Sequence, residues 1–162
     1  MVQTDGIGMS VPTFEKLGGR LLVIFDGHCG LCNRAVHWFL VRDRRDRLRF
    51  VASESPRVTA LLARHGMGTP GWGWGADAPL NTILVVLDPD GPTERVLVRS
   101  QAALALLAEL PGPWPAIAVA LGWIPRPVRD LGYRLIARWR YRIWGRFDVC
   151  PVPTAAERER FL

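Results

Sequence analysis

The sequence predicts an α/β domain whose central sheet of about four strands is flanked by helices and followed by a helical C-terminal extension. Three observations carry this. Leu21-Leu-Val-Ile-Phe25 is a continuous apolar run with β-branched members, the pattern of a strand buried on both faces. The apolar positions that follow, Cys32, Val36, Phe39 and Leu40, fall at helical spacing, and a second short strand pattern, Leu48-Arg-Phe-Val51, comes next. Further on, Thr82-Ile-Leu-Val-Val-Leu87 and Arg95-Val-Leu-Val98 flank Asp88-Pro-Asp-Gly91, a turn by composition, and so read as a β-hairpin.

The remaining elements fill in around these. Residues 1–20 read as a lead-in, polar and aperiodic over most of their length. The first helix is expected to run to about Arg42, where the charged run Arg42-Asp-Arg-Arg-Asp-Arg47 takes over. Ser55-Pro56 opens another helix, with Leu61 and Leu62 inward and Gly66 closing it after His65. Residues 66–79 form a glycine-rich loop that carries Trp72 and Trp74. Ser100 is expected to cap a helix from Gln101 to Leu110, and Pro111-Gly-Pro113 marks a boundary. Beyond it, Trp114 to Gly122 and Pro127 to about Trp144 read as two more helices. In the second, Val128, Leu131, Leu135, Trp139 and Ile143 make one stripe, and arginines 129, 134, 138, 140 and 142 fall mainly off it. The expectation is that the stripe is buried and the arginines solvated. The order β-α-β, linking helix, β-β-α is that of a thioredoxin-like fold over residues 21–110, with residues 111–162 as a helical extension packed on it.

A chain of 162 residues can bury a core without disulfide staples. About half its residues are apolar and under a quarter are charged, which excludes a disordered chain. The net charge of +6 is carried by arginine, since Lys16 is the only lysine. These arginines are spread over several segments rather than gathered into one block, so no nucleic-acid partner is expected; contact of the C-terminal Arg/aromatic helix with a membrane surface stands as an alternative. The first ten residues lack a basic then apolar leader pattern. The longest apolar stretch, around Trp114 to Ile124, falls well short of the roughly 20 residues a spanning helix needs. A cytoplasmic protein is expected.

The chemistry is carried by Asp26-Gly-His-Cys-Gly-Leu-Cys32, at the turn between the first strand and its helix. A helix N-terminus presents unpaired N–H groups and about half a positive charge. A thiolate there is stabilised, and its pKa falls from about 8.5 toward about 7 or below. Cys29 is therefore expected to be an exposed nucleophile. Cys32, one turn on and on the inner face, is expected to resolve the mixed disulfide. His28 either favours the thiolate as an imidazolium or is a loop residue without a tuning role. Asp26 either holds the turn by capping the helix or accepts a proton from Cys32. Gly27 supplies turn freedom. Trp72, Trp74, Asn81 and Thr82 are candidates for substrate contact, because the loop before the third strand of such a domain borders the cysteines. No bound cofactor is required. Expected partners are a thiol or disulfide substrate, protein or small molecule, and a cellular reductant. The competing reading is a zinc-binding structural or interaction module using Cys29, Cys32, His28 or His37, and Cys150. It is disfavoured because the chain has no second Cys-x-x-Cys, and His28 adjoins Cys29.

At these residues the sequence resembles the DCC proteins, thiol–disulfide oxidoreductases named for an Asp and two Cys near the N-terminus, here Asp26, Cys29 and Cys32. The resemblance extends from Leu21 over nearly all the chain. It takes in Val98-Arg-Ser100, Arg129-Asp-Leu-Gly-Tyr133, Ile136-Ala-Arg-Trp-Arg-Tyr-Arg142, Gly145-Arg146 and Cys150-Pro-Val-Pro153. It implies a thioredoxin-like fold and dithiol–disulfide exchange, and not a substrate. The family usually has Asn where Trp139 stands. Compared with thioredoxins, Gly30-Leu31 replaces Gly-Pro between the cysteines, and Asn81 stands where a cis-proline precedes Thr82. Val23 takes the place of a buried acid.

Overall fold

The structure, a computed structural model, describes residues 17, 19–67, 82–145 and 158–162. Trp72, Trp74, Asn81 and Cys150 lie outside the described residues, as does the Gly/Trp loop beyond Met67. Four strands, β1 (Leu21–Phe25), β2 (Leu48–Ala52), β3 (Leu84–Leu87) and β4 (Arg95–Val98), form one sheet in the order β2-β1-β3-β4. β1 runs parallel to β2 and antiparallel to β3, and β3 pairs antiparallel with β4. The parallel pair is joined by helix α1 (Gly30–Arg42), as a parallel crossover requires. α2 (Pro56–Arg64) links the halves, and α3 (Arg99–Glu109), α4 (Trp114–Gly122) and α5 (Arg126–Trp144) follow the hairpin. This is a four-stranded mixed sheet flanked by helices, in agreement with a thioredoxin-like fold.

β1 is apolar at every position because both sheet faces are covered. Leu22 and Ile24 join Val51, Val58, Leu61, Leu62, Leu84 and Val86 on the α2 side. Leu21, Val23 and Phe25 join Val36, Leu40, Phe50, Ala102 and Leu106 under α1 and α3. The charged run after α1 is a built turn. The buried Asp43 carboxylate accepts from Arg47 N at 3.1 Å and Leu48 N at 3.0 Å, which aims the chain into β2.

The element boundaries follow the sequence pattern closely, with four differences. β3 begins at Leu84 rather than Thr82, because the amide of Ile83 is taken out of the ladder by the Tyr133 hydroxyl at 2.8 Å. Ser100 lies inside α3 and does not cap it; its hydroxyl donates to Asp130 Oδ1 at 2.5 Å. A short 3-10 turn, Arg158–Arg160, leads to Phe161, which bridges to Phe50 beside β2. The fourth difference is the largest. The stripe Val128, Leu131, Leu135, Trp139 and Ile143 of α5 faces outward, between 48% and 61% exposed. The inward face is Asp130, Tyr133, Ala137, Arg140 and Trp144. The physical reason lies in what awaits that face: Ser100 for Asp130, the Ile83 amide for Tyr133, and Asp26 for Arg140. Specific polar partners orient the helix, and the apolar stripe is left outside.

Candidate active site

Cys29 is the N-cap of α1, in an extended conformation, and Sγ accepts from the amide of Cys32 at 3.4 Å. The first turn of α1 contains no acidic residue, so the N-terminal partial charge acts on the sulfur. The two cysteines approach each other to 3.0 Å with no disulfide bond between them. Asn33 locks the preceding turn, its amide donating to Gly27 O at 2.7 Å and Cys29 O at 3.1 Å.

Asp26 ends β1 with 3% of its surface exposed. One carboxylate oxygen accepts from His28 N at 2.9 Å, and the other faces the Arg140 guanidinium at 3.5 Å. The helix cap is Cys29, so Asp26, three residues before it, shapes the turn without capping the helix. The His28 ring points toward Glu54 at 3.7 Å. Gly27 is not one of the glycines at positive φ, which among the described residues are Gly19, Gly66, Gly112 and Gly145. Thr82 Oγ1 accepts from Arg99 N at 3.1 Å, and the Tyr133 hydroxyl meets the Thr82 side chain as well as the Ile83 amide.

The two thiols are pushed apart in acidity. The hydrogen bond from Cys32, then the Cys32 amide and the Arg140 charge, bring Cys29 down to about 6, against burial and Asp26. Donating to Cys29, burial and the neighbouring thiolate push Cys32 well above the usual thiol range. Burial likewise raises the Tyr133 hydroxyl, which lies within electrostatic reach of Cys32 and Arg140.

Cys29 is buried rather than exposed, and Cys32 is half-buried. The end of α5 closes over the start of α1. The amide of Gly30 donates to Gly145 O at 3.4 Å, and a β-carbon on Gly30 would overlap the carbonyl oxygen of Trp144. Glycine between the cysteines is thus required by the approach of another backbone. Beside this contact a groove of about 840 Å³ is lined by Asn33, Arg34, His37, Trp38, Arg42 and Trp144, among others.

Sequence reasoning placed Asp26, Gly27, His28, Cys29 and Cys32 together, and the structure brings them to one turn. It missed Arg140 and Tyr133, which arrive from the far end of the chain. Their signal was the spacing of Asp130, Tyr133, Ala137 and Arg140, a helical face as regular as the apolar stripe but polar. Among the described residues no three His, Cys, Asp or Glu side chains converge as metal ligands; Cys150 lies outside them.

A family model described as DCC1-like thiol–disulfide oxidoreductase matches residues 23–146. The chain is 33% identical over 150 residues to the uncharacterised protein YuxK of Bacillus subtilis, covering 93% of this chain and 98% of that one. It is 34% identical over 138 residues to a protein of Arabidopsis thaliana named as a chloroplastic DCC family protein, covering 85% and 73% respectively. No solved structure matches.

Proposed function

The chain belongs to the DCC1-like thiol–disulfide oxidoreductase family, and from that premise we propose that it catalyses dithiol–disulfide exchange, with Cys29 attacking and Cys32 resolving. The observation that carries this is Cys29 Sγ at the α1 N-cap, accepting from the Cys32 amide and lying within reach of the Arg140 charge. A thiol brought down to about 6 is thiolate in roughly nine-tenths of molecules at neutral pH. The Cys29 thiolate attacks one sulfur of a substrate disulfide, and the other sulfur leaves as a thiolate and takes a proton. Cys32 then gives up its proton and attacks Cys29 Sγ, which releases the second substrate sulfur and leaves a Cys29–Cys32 disulfide. The buried Asp26 carboxylate is the acceptor we assign to the Cys32 proton. A cellular dithiol reductant returns the two electrons.

Since Cys29 is buried, attack requires its surroundings to open, and we assign that opening to the α1–α5 contact at Gly30. The groove flanked by Arg34 and Arg42 is where we place the approaching substrate. Thr82, with Trp72, Trp74 and Asn81 outside the described residues, completes the proposed contact surface. His28, paired with Glu54, supports the turn. Helices α4 and α5 are taken as part of the catalytic unit. No helix among the described residues is long and apolar enough to cross a membrane. Three cysteines, two of them spaced Cys-x-x-Cys, suit a reducing compartment, for which we assign the cytoplasm.

The test is mechanism-based trapping. Cys32→Ser is expected to accumulate mixed disulfides with its substrates, and Cys29→Ser to lose exchange altogether. Exchange by Cys29→Ser at the parent rate would overturn the assignment. So would one stoichiometric zinc in the purified reduced protein, lost when Cys29 is replaced.

A further inference from the structure

We propose that the outer face of α4 and α5 docks peripherally on an anionic lipid surface. α4 carries no charged side chain, yet Ile117, Val119 and Leu121 on it are exposed, and Trp123 just beyond its end is 86% exposed. α5 presents a second exposed apolar stripe through Leu131, Leu135 and Trp139. Exposed apolar surface of this extent marks an interaction face.

The charge on that face selects the partner. Residues 111–145 contain six arginines and a single acid, Asp130, which is buried against Ser100. Arg134, Arg138 and Arg142 lie exposed along one flank of the α5 stripe. The outward surface of these helices therefore offers cations and apolar groups and no carboxylate. A second copy of the chain would set arginine against arginine across a two-fold interface. A bilayer with anionic headgroups answers both features: phosphates meet the arginines, and the acyl boundary takes up the leucines and isoleucines. Tryptophans at an apolar–polar border, here Trp123 and Trp139, suit the headgroup level. α5 is long enough to lie in the interface and too highly charged to span it, in keeping with the lack of a spanning helix among the described residues. The inner face of the same helix holds Tyr133 and Arg140 against the candidate active site, so docking by the outer face leaves those contacts in place.

The experiment is co-sedimentation of the reduced full chain with vesicles of phosphatidylcholine alone or with added phosphatidylglycerol. The expected result is binding to the anionic vesicles, weakened by salt, and little to the neutral ones. Replacing Arg134, Arg138 and Arg142 together by Gln is expected to lower partitioning about 100-fold. Trp123→Ser with Leu135→Ser is expected to lower it at every salt concentration. Both variants change exposed positions, and their circular dichroism and melting temperature are expected to stay at parent values. Absence of binding by the parent chain overturns the proposal, as does undiminished binding by the triple variant. A dimer in sedimentation equilibrium that Leu135→Ser dissociates would also overturn it, assigning the face to a second copy.

Discussion

Arg140 and Asp26 pair at 3.5 Å in a site where each exposes 3% or less of its surface, and the guanidinium acts on both cysteines from there. The pair joins the last turns of α5 to the end of β1. Arg140→Met is expected to raise the Cys29 pKa, because it removes a positive charge that lowers it while Asp26, which raises it, stays. The rate of alkylation by iodoacetamide against pH checks this; its midpoint should move upward, and Arg140→Lys should restore much of the shift. The Met variant removes a buried guanidinium from beside the buried Asp26 carboxylate, and a loss of stability in denaturant unfolding is expected.

The stability of the reduced protein should depend on Cys29 with a definite sign. Its pKa is about 6 in the fold and 9.0 for the ordinary thiol, so the thiolate favours the folded state as pH rises between these values. That contribution is lost as pH falls through about 6. Reduced parent and Cys29→Ala should therefore unfold at more similar denaturant concentrations near pH 5 than near pH 8, with the parent gaining in between. Above pH 9 the trend should reverse, since Cys32 is held protonated in the fold and ionises on unfolding.

Gly30→Ala should be costly although alanine is the better helix former. The added methyl meets the Trp144 carbonyl, so the end of α5 must withdraw. A loss of about 1–3 kcal/mol is expected from urea unfolding, as for other overpacked sites. Faster alkylation of Cys29 should accompany it if that contact shields the thiol.

Tyr133→Phe removes one oxygen and leaves the Ile83 amide without its acceptor. A cost of about 1–3 kcal/mol is expected. Hydrogen exchange at the Ile83 amide should accelerate in the variant while the amides of β1 stay protected.

Legibility in the sequence followed the physics of each signal. β1, α1, β4 and α4 were readable because their patterns are local: a two-faced apolar run, a helical repeat, a turn, a proline boundary. The Cys29–Cys32 turn was readable for the same reason, since strand, turn and helix are consecutive. The orientation of α5 was not. An apolar stripe ordinarily marks the buried side, and here three polar contacts outweigh it: Asp130 with Ser100, Tyr133 with Ile83, Arg140 with Asp26. Each partner lies far away in sequence, and none is implied by periodicity. The closure over the start of α1 was hidden similarly, because the backbone at Trp144 and Gly145 that meets Gly30 comes from far along the chain. Gly30 figured in the sequence only as half of the Gly30-Leu31 dipeptide between two cysteines, whereas its lack of a side chain is what admits α5.

The bridge from Phe161 to Phe50, with Leu162 N donating to Phe50 O at 2.9 Å, occupies hydrogen-bonding positions along the outer margin of β2. An open sheet margin is a template on which a stranger's backbone can add, the first step toward fibrillar aggregation. Here Phe161 and Leu162 act as a stopper there, and the Phe161 ring meets Phe25 edge-on and lies tilted against Phe50, which keeps it seated. The opposite margin is β4, only four residues long and begun by the exposed Arg95. Resistance to strand-swapped polymerisation is thus unevenly distributed: a short, charged strand guards one side, and a removable plug guards the other.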